Sequence, residues 1–176
     1  MNRDTLYTLK CRRAIRKFKS TQITHEELNT VLEAGIYAPS GCGTQSPVIV
    51  AVQDPGAISQ INAMSAAVIG QDIKPYYGAP TIILIFASEQ AMSPDIGILD
   101  AAAACTNMLN AAHAVGLGSC WIHRCKEIFE SAEGKALLTQ WGLPNTLQGV
   151  ASIALGYSDC DNPSPAPRKL DRIVRI

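Results

Sequence analysis

The longest patterned stretch, residues 98–118 (ILDAAAACTNMLNAAHAVGLG), carries small or apolar side chains at almost every position. Ala101, Ala102, Ala103, Ala104, Ala111 and Ala112 are strong helix formers with little bulk, so this stretch predicts a long helix that neighbours can approach closely. A helix apolar on nearly all sides belongs inside. Gly116 and Gly118 are expected to stop it. Thr106, Asn110 and His113 recur at steps of four and three and line one stripe, with Asp100 and Asn107 at its edge. The stripe is satisfied locally or at a subunit contact.

Around this axis the pattern predicts four strands. Val48 to Val52 and Thr81 to Ala87 are continuous, β-branched runs buried on both faces, 119–122 is a short third strand, and 150–157 is the fourth. Helical spacing marks 4–13, with Leu6 and Leu9 inward, and then Leu28, Val31, Leu32 and Ile36 behind a capping box of Thr24 and Glu27. Further helices are expected over 56–70 and in one or two pieces between 123 and 144. APSGCGTQSP (38–47) and QDIKPYYGAP (71–80) read as loops. From Ser158 the chain carries Pro163, Pro165 and Pro167, so 158–176 is expected to be an extended arm, and its end, RIVRI, alternates like an added edge strand. The absence of repeats or linkers makes residues 1–176 one domain, with helices on both faces of one sheet.

Composition sharpens the picture in one respect. Apolar residues form 47% of the chain against 17% charged, rich for a free-standing monomer and so pointing to an obligate oligomer. Net charge is zero but uneven: residues 1–19 hold seven Lys or Arg and 168–176 hold four, leaving four basic against thirteen acidic residues between them. Basic ends around an acidic body suit convergence on an anion better than a nucleic-acid surface, given so few aromatics. The longest apolar run is far short of the roughly 20 residues of a membrane span. Nothing apolar precedes Lys10, so no secretory leader is expected and the location is expected to be cytoplasmic. The six cysteines show no CxxC, and Cys120, His123 and Cys125 match no standard metal-ligand spacing.

The segment RRAIRKF (12–18) leaves the first helix with Arg12, Arg13 and Arg16 close together, while Ile15 and Phe18 are spaced to anchor it. It is either a solvated basic face or a set of guanidiniums held where a phosphate is gripped bidentately. The loop at 38–47 is either a connector or a set of amides and hydroxyls fitting the polar edge of a planar heterocycle. There is no GxxxxGK[ST], GxGxxG, GxSxG or HExxH, and no paired acids in an apolar setting stand out, so a bound cofactor is the expected source of chemistry.

Together these motifs resemble the nitroreductase family of FMN-dependent oxidoreductases. RRAIRKF is similar to its RRSxRxF, LEAGIYAPSGCGTQ (32–45) to its LEAAxxAPSxxNxQPW, and the alanine-rich helix ending in GLGSCWI (116–122), the later GLP and LGY, and RK at 168–169 follow in the same order. The resemblance implies an α+β fold of three α/β/α layers around a mixed, mainly antiparallel sheet, in a homodimer that exchanges C-terminal arms and builds two FMN sites across the interface. It implies that Arg12, Arg13, Ala14 and Arg16 hold the phosphate and ribityl chain, with Arg168 or Lys169 closing on the phosphate. Pro39, Ser40 and Gln45 would contact the isoalloxazine, from the partner or the same subunit, and Ile122, His123 and Arg124 would lie near its N5 edge. NADH or NADPH would reduce the flavin, which would pass electrons to a nitroaromatic, quinone or similar acceptor, with no protein acid or base; the other reading is a flavin store or sensor without nicotinamide turnover. The chain departs from the pattern at Ala14, for a frequent Ser, at Gly43, for Asn, and at Ser46 and Pro47, for Pro-Trp.

Overall fold

The structure is a computed structural model and describes residues 5–71 and 73–176. In chain order its elements are α1 (Thr5–Cys11), α2 (His25–Ile36), β1 (Val48–Val52), α3 (Pro55–Ile69), β2 (Thr81–Ala87), α4 (Pro94–Ala114), β3 (Gly118–Ile122), α5 (Cys125–Glu130), α6 (Ala132–Gln140) and β4 (Gln148–Gly156). Short 3-10 turns occupy Gly41–Gly43 and Leu170–Arg172.

The strands form one sheet in the order β1-β2-β4-β3, every neighbouring pair antiparallel, with a register shift between Ile85 and Phe86. The expected mixed sheet is therefore antiparallel within one chain; the parallel element among the described residues is a single bridge from Ala14 to Ser119. β2 is buried along its whole length, because alternate residues enter two different cores. Ile82, Leu84 and Phe86 face α3, α5 and α6, where Phe86 meets Phe129 edge-on at 4.9 Å between ring centroids. Ile83 and Ile85 face α2 and α4, packing with Val31, Cys105, Met108 and Ala112. Each such side chain removed from water contributes roughly 1.5–3 kcal/mol, so these two layers of contact carry most of the stability.

The central helix is four residues out of place at each end relative to the pattern. It begins at Pro94, the fixed-φ residue suited to a first turn, with the Ser93 hydroxyl accepting from the Ile96 amide. It ends at Ala114, where the amides of Val115, Gly116 and Leu117 return to the carbonyls of Ala111, His113 and Ala112. One of its sides is uncovered by this chain: Leu99 is 63% exposed and Thr106 is exposed. Leu6 and Leu9 of α1 are exposed by 60% and 55%, so the inward assignment of these two leucines is corrected; Thr8 is the buried residue of that helix. RIVRI pairs with no strand among the described residues, and residues 161–176 are exposed throughout. No helix among the described residues is long and apolar enough to cross a membrane.

Candidate functional site

The basic segment 12–18 is sewn onto the outer edge of β3 at Ala14 and Ile15 and onto the exit of β4 at 17–19. The Ile15 amide donates to the Ser119 carbonyl at 3.0 Å, the Lys19 amide to the Tyr157 carbonyl and the Asp159 amide to the Lys17 carbonyl. Ile15 and Phe18 are buried, as their spacing requires, and Ile15 lies so near Gly118 that a Cβ there would sit 3.0 Å from its Cγ2. The anchors leave the arginines at the edge of a cavity of about 280 Å³ between the end of α4, the start of β3 and the exit of β4. Arg12, Arg13, His113, Ser119, Ser158 and Asn162 are among its lining residues, and Asp161 also borders it.

The two arginines give this cavity a lining suited to an anion. Arg12 is half-buried and makes no ion pair among the described residues. Burial lowers its pKa; the Cys120 thiol acts against the shift and the Arg13 cation adds to it. A guanidinium stays charged at any working pH, so a half-buried cation that forms no ion pair among the described residues favours an anionic ligand. Arg13 is fixed in place, its Nη1 donating to the Lys10 and Arg12 carbonyls at 2.8 and 2.7 Å, while its Nε is buried without a partner. The α4 terminus beside them carries the negative end of a helix dipole, but its last carbonyls are already taken up by residues 115–117. Asn162 ties the C-terminal arm to this place by donating to the Cys11 carbonyl at 3.1 Å.

The loop at 38–47 owes its shape to α4. Asp100, 5% exposed, accepts from the Gly41 amide and from the Ser46 hydroxyl, both at 2.9 Å, and the Ser46 carbonyl accepts from the Ser88 hydroxyl at 2.7 Å. Cys42 and Gln45 take left-handed backbone conformations (φ 50° and 51°), and the Gln45 amide donates to the Ser40 hydroxyl at 2.9 Å. Holding two side-chain-bearing residues there costs energy that these bonds offset. Ser40 and Gln45 line a cavity of about 70 Å³ with Ile36, Pro47 and Ile49, and Pro39 stands exposed beside it.

The predicted site residues therefore fall into separate groups. Arg12 and Arg13 share the basic cavity, and Ala14 is bridged to Ser119 beside it. Arg16 is exposed, and its charge together with that of Arg12 pulls down the Cys120 thiol pKa, which burial raises. Pro39, Ser40 and Gln45 belong to the loop, whose cavity shares no lining residue with the basic one. Ile122 is buried at the end of β3, His123 and Arg124 are exposed just beyond it, and Arg124 pairs with Glu127 at 2.9 Å. Arg168 and Lys169 are exposed on the arm and do not line the basic cavity in this chain. Asp100 and Ser119 were not singled out as site residues by sequence reasoning. Asp100 carried a weak signal as the one acid in the apolar run 98–118; Ser119, in a strand, carried none.

Comparison with known proteins gives the same outline. The NADPH-flavin oxidoreductase of Vibrio harveyi is 28% identical over 185 residues, covering 97% of this chain and 72% of its own. A nitroreductase with bound FMN from Bacteroides fragilis superposes with a TM-score of 0.88 at 28% identity, covering 99% of both chains. An FMN-dependent nitroreductase from Clostridium difficile superposes with a TM-score of 0.85 at 26% identity over the whole of both chains. The model of the nitroreductase family matches residues 9–74 and 72–157, most of the sequence, and the chain belongs to the nitroreductase family.

Proposed function

We propose that this protein is an FMN-dependent oxidoreductase that takes electrons from NADH or NADPH and passes them to a nitroaromatic, quinone or similar oxidised acceptor. The observation that carries the reading is the basic cavity: a desolvated Arg12, a fixed Arg13 with an unpartnered Nε, and neutral donors around them fit the phosphate end of a flavin nucleotide. Relatives named as a flavin oxidoreductase and as nitroreductases with FMN support it.

When bound, FMN supplies the hydride acceptor and donor in its ring. The chain supplies position. Arg12 and Arg13 hold the phosphate, and Arg16 extends the same positive edge toward the ribityl chain. Pro39, Ser40 and Gln45 would present hydroxyl, amide and carboxamide groups to the ring edge, and the backbone at Ile122, His123 and Arg124 would lie near its N5 edge. Asp100 fixes the loop before any ligand arrives, so little ordering remains to be done on binding. Arg168 or Lys169 would close on the phosphate from the arm.

The same reading makes the protein a homodimer with exchanged arms. The exposed side of α1, α2 and α4, with Leu6, Leu9, Tyr37 and Leu99, is the face for a second copy. The outer edge of β3 is occupied by residues 14–15, which leaves β1 as the free edge of the sheet for the partner's RIVRI. Leu170, Ile173, Val174 and Ile176 would then be covered.

The deciding test is a visible spectrum of the purified protein after FMN loading and desalting, followed by NADH or NADPH oxidation with menadione or a nitroaromatic as acceptor. Retained flavin and acceptor-dependent turnover are expected. Flavin that dithionite reduces but neither nicotinamide does would refute the enzyme reading.

A further inference from the structure

The basic cavity holds a hydroxyl for which the chain has no use. Ser119 is 1% exposed, its Oγ has no hydrogen-bond partner, and it lines the cavity shared by Arg12 and Arg13. Its position is rigid: Ser119 pairs with Leu155 in the β3–β4 ladder, and its carbonyl accepts from the Ile15 amide on the other side. A buried hydroxyl without a partner is destabilising, and such groups persist where something outside the chain completes them. Ala14, directly across the bridge, has no hydroxyl to offer, so Ser119 is the residue of that pair able to donate.

Resting on the flavin reading above, we propose that Ser119 is a cofactor-binding residue, its hydroxyl donating to the phosphate of the bound flavin nucleotide between the two guanidiniums. The arginines supply charge, and the serine supplies a short neutral donor on a strand that cannot shift. Charge alone would accept many anions; a donor fixed by a β-ladder sets where the phosphate sits.

The test titrates flavin-stripped full-length protein with FMN and with riboflavin, which lacks the phosphate, following flavin fluorescence and the melting temperature of the ligand-free protein. In Ser119→Ala the FMN affinity is expected to fall roughly tenfold or more, the cost of one donor to a charged acceptor. Riboflavin affinity should be unchanged, and the ligand-free melting temperature should not fall, since the unpartnered hydroxyl costs stability in the empty site. Ser119→Cys, which keeps the shape with a weaker donor, is expected to lose FMN affinity in the same selective way, and it carries the test if the alanine variant does not fold. Unchanged FMN affinity overturns the assignment, as does an equal loss for both flavins, which would make Ser119 a packing residue. If the unaltered protein binds neither flavin, the cofactor reading itself fails and the serine assignment with it.

Discussion

Replacing Asp100 by alanine isolates the link between the central helix and the loop at 38–47. The substitution leaves the Gly41 amide and the Ser46 hydroxyl without their acceptor. Hydrogen bonds to a charged group contribute about 1.5–3 kcal/mol each. Ser46 is buried and keeps the full cost; Gly41 is half-buried and recovers part of it from water. The expected loss is therefore about 2–4 kcal/mol, a fall in melting temperature of roughly 5–15 °C at 2–4 °C per kcal/mol for a chain of this size. Asp100→Asn should lose less, since a carboxamide can accept from Gly41 and donate to the serine oxygen. Thermal unfolding gives the magnitude, and amide exchange gives the location: the Gly41 and Gln45 amides should exchange faster while those of β2 stay protected. Wild-type stability with unchanged exchange at Gly41 would refute the reasoning, as would a stability loss spread evenly over the sheet.

Arg12→Ala should weaken FMN retention far more than Lys19→Ala, because a desolvated cation in the cavity is worth more than an exposed one; desalting followed by absorbance compares them, and equal retention contradicts the assignment. Deleting residues 160–176 should impair dimerisation and flavin retention together, measured by light scattering and absorbance; a flavin-loaded dimer without the arm would refute arm exchange. Burial pushes the Glu27 carboxyl pKa up, but bonds from the Thr24 amide, the Tyr157 hydroxyl and the Thr24 hydroxyl outweigh it, so the pKa lies below its ordinary value. Its stabilising effect is thus present above the unfolded carboxylate pKa and lost as pH falls through the lower folded value. Tyr157→Phe should reduce the acid-dependent part of unfolding below about pH 4.5, read from melting curves across pH; an unchanged slope would exclude the contact.

The strands and helices were legible because each is dictated by its own residues. The bounds of β1 and β2 match the sequence expectation residue for residue, but only β2 is buried throughout: β1 is an edge strand with Val48, Ile49 and Val50 half-buried and Ala51 exposed, so its expected burial is corrected; the Thr24 and Glu27 capping box is present with both reciprocal bonds. The anchors Ile15 and Phe18 were legible for the same reason. Leu6 and Leu9 were not: periodicity marks a face as apolar, but not which molecule covers it. Register was equally opaque at α4, where apolar continuity hides the boundary and the Ser93-Pro94 start signal lies before the alanine-rich run. The candidate site was legible where charge clusters locally, at residues 12–16. It was hidden where it depends on contacts between distant segments: Asp100 reaches Gly41 across 59 positions, and Ser119 meets Ala14 only once the first segment is stitched to β3.

The two cavities that share no lining residue have a genetic consequence. When the arginines of one site and the loop of the same site come from different subunits, a chain altered at Arg12 and a chain altered at Asp100 can each be defective alone and still complement when mixed. In the mixed dimer one site collects both lesions and the other collects none. Co-expression of the two variants with random pairing should then restore about a quarter of the flavin content overall, and about half in the purified mixed dimer, whereas sites completed within each chain would give no restoration at all.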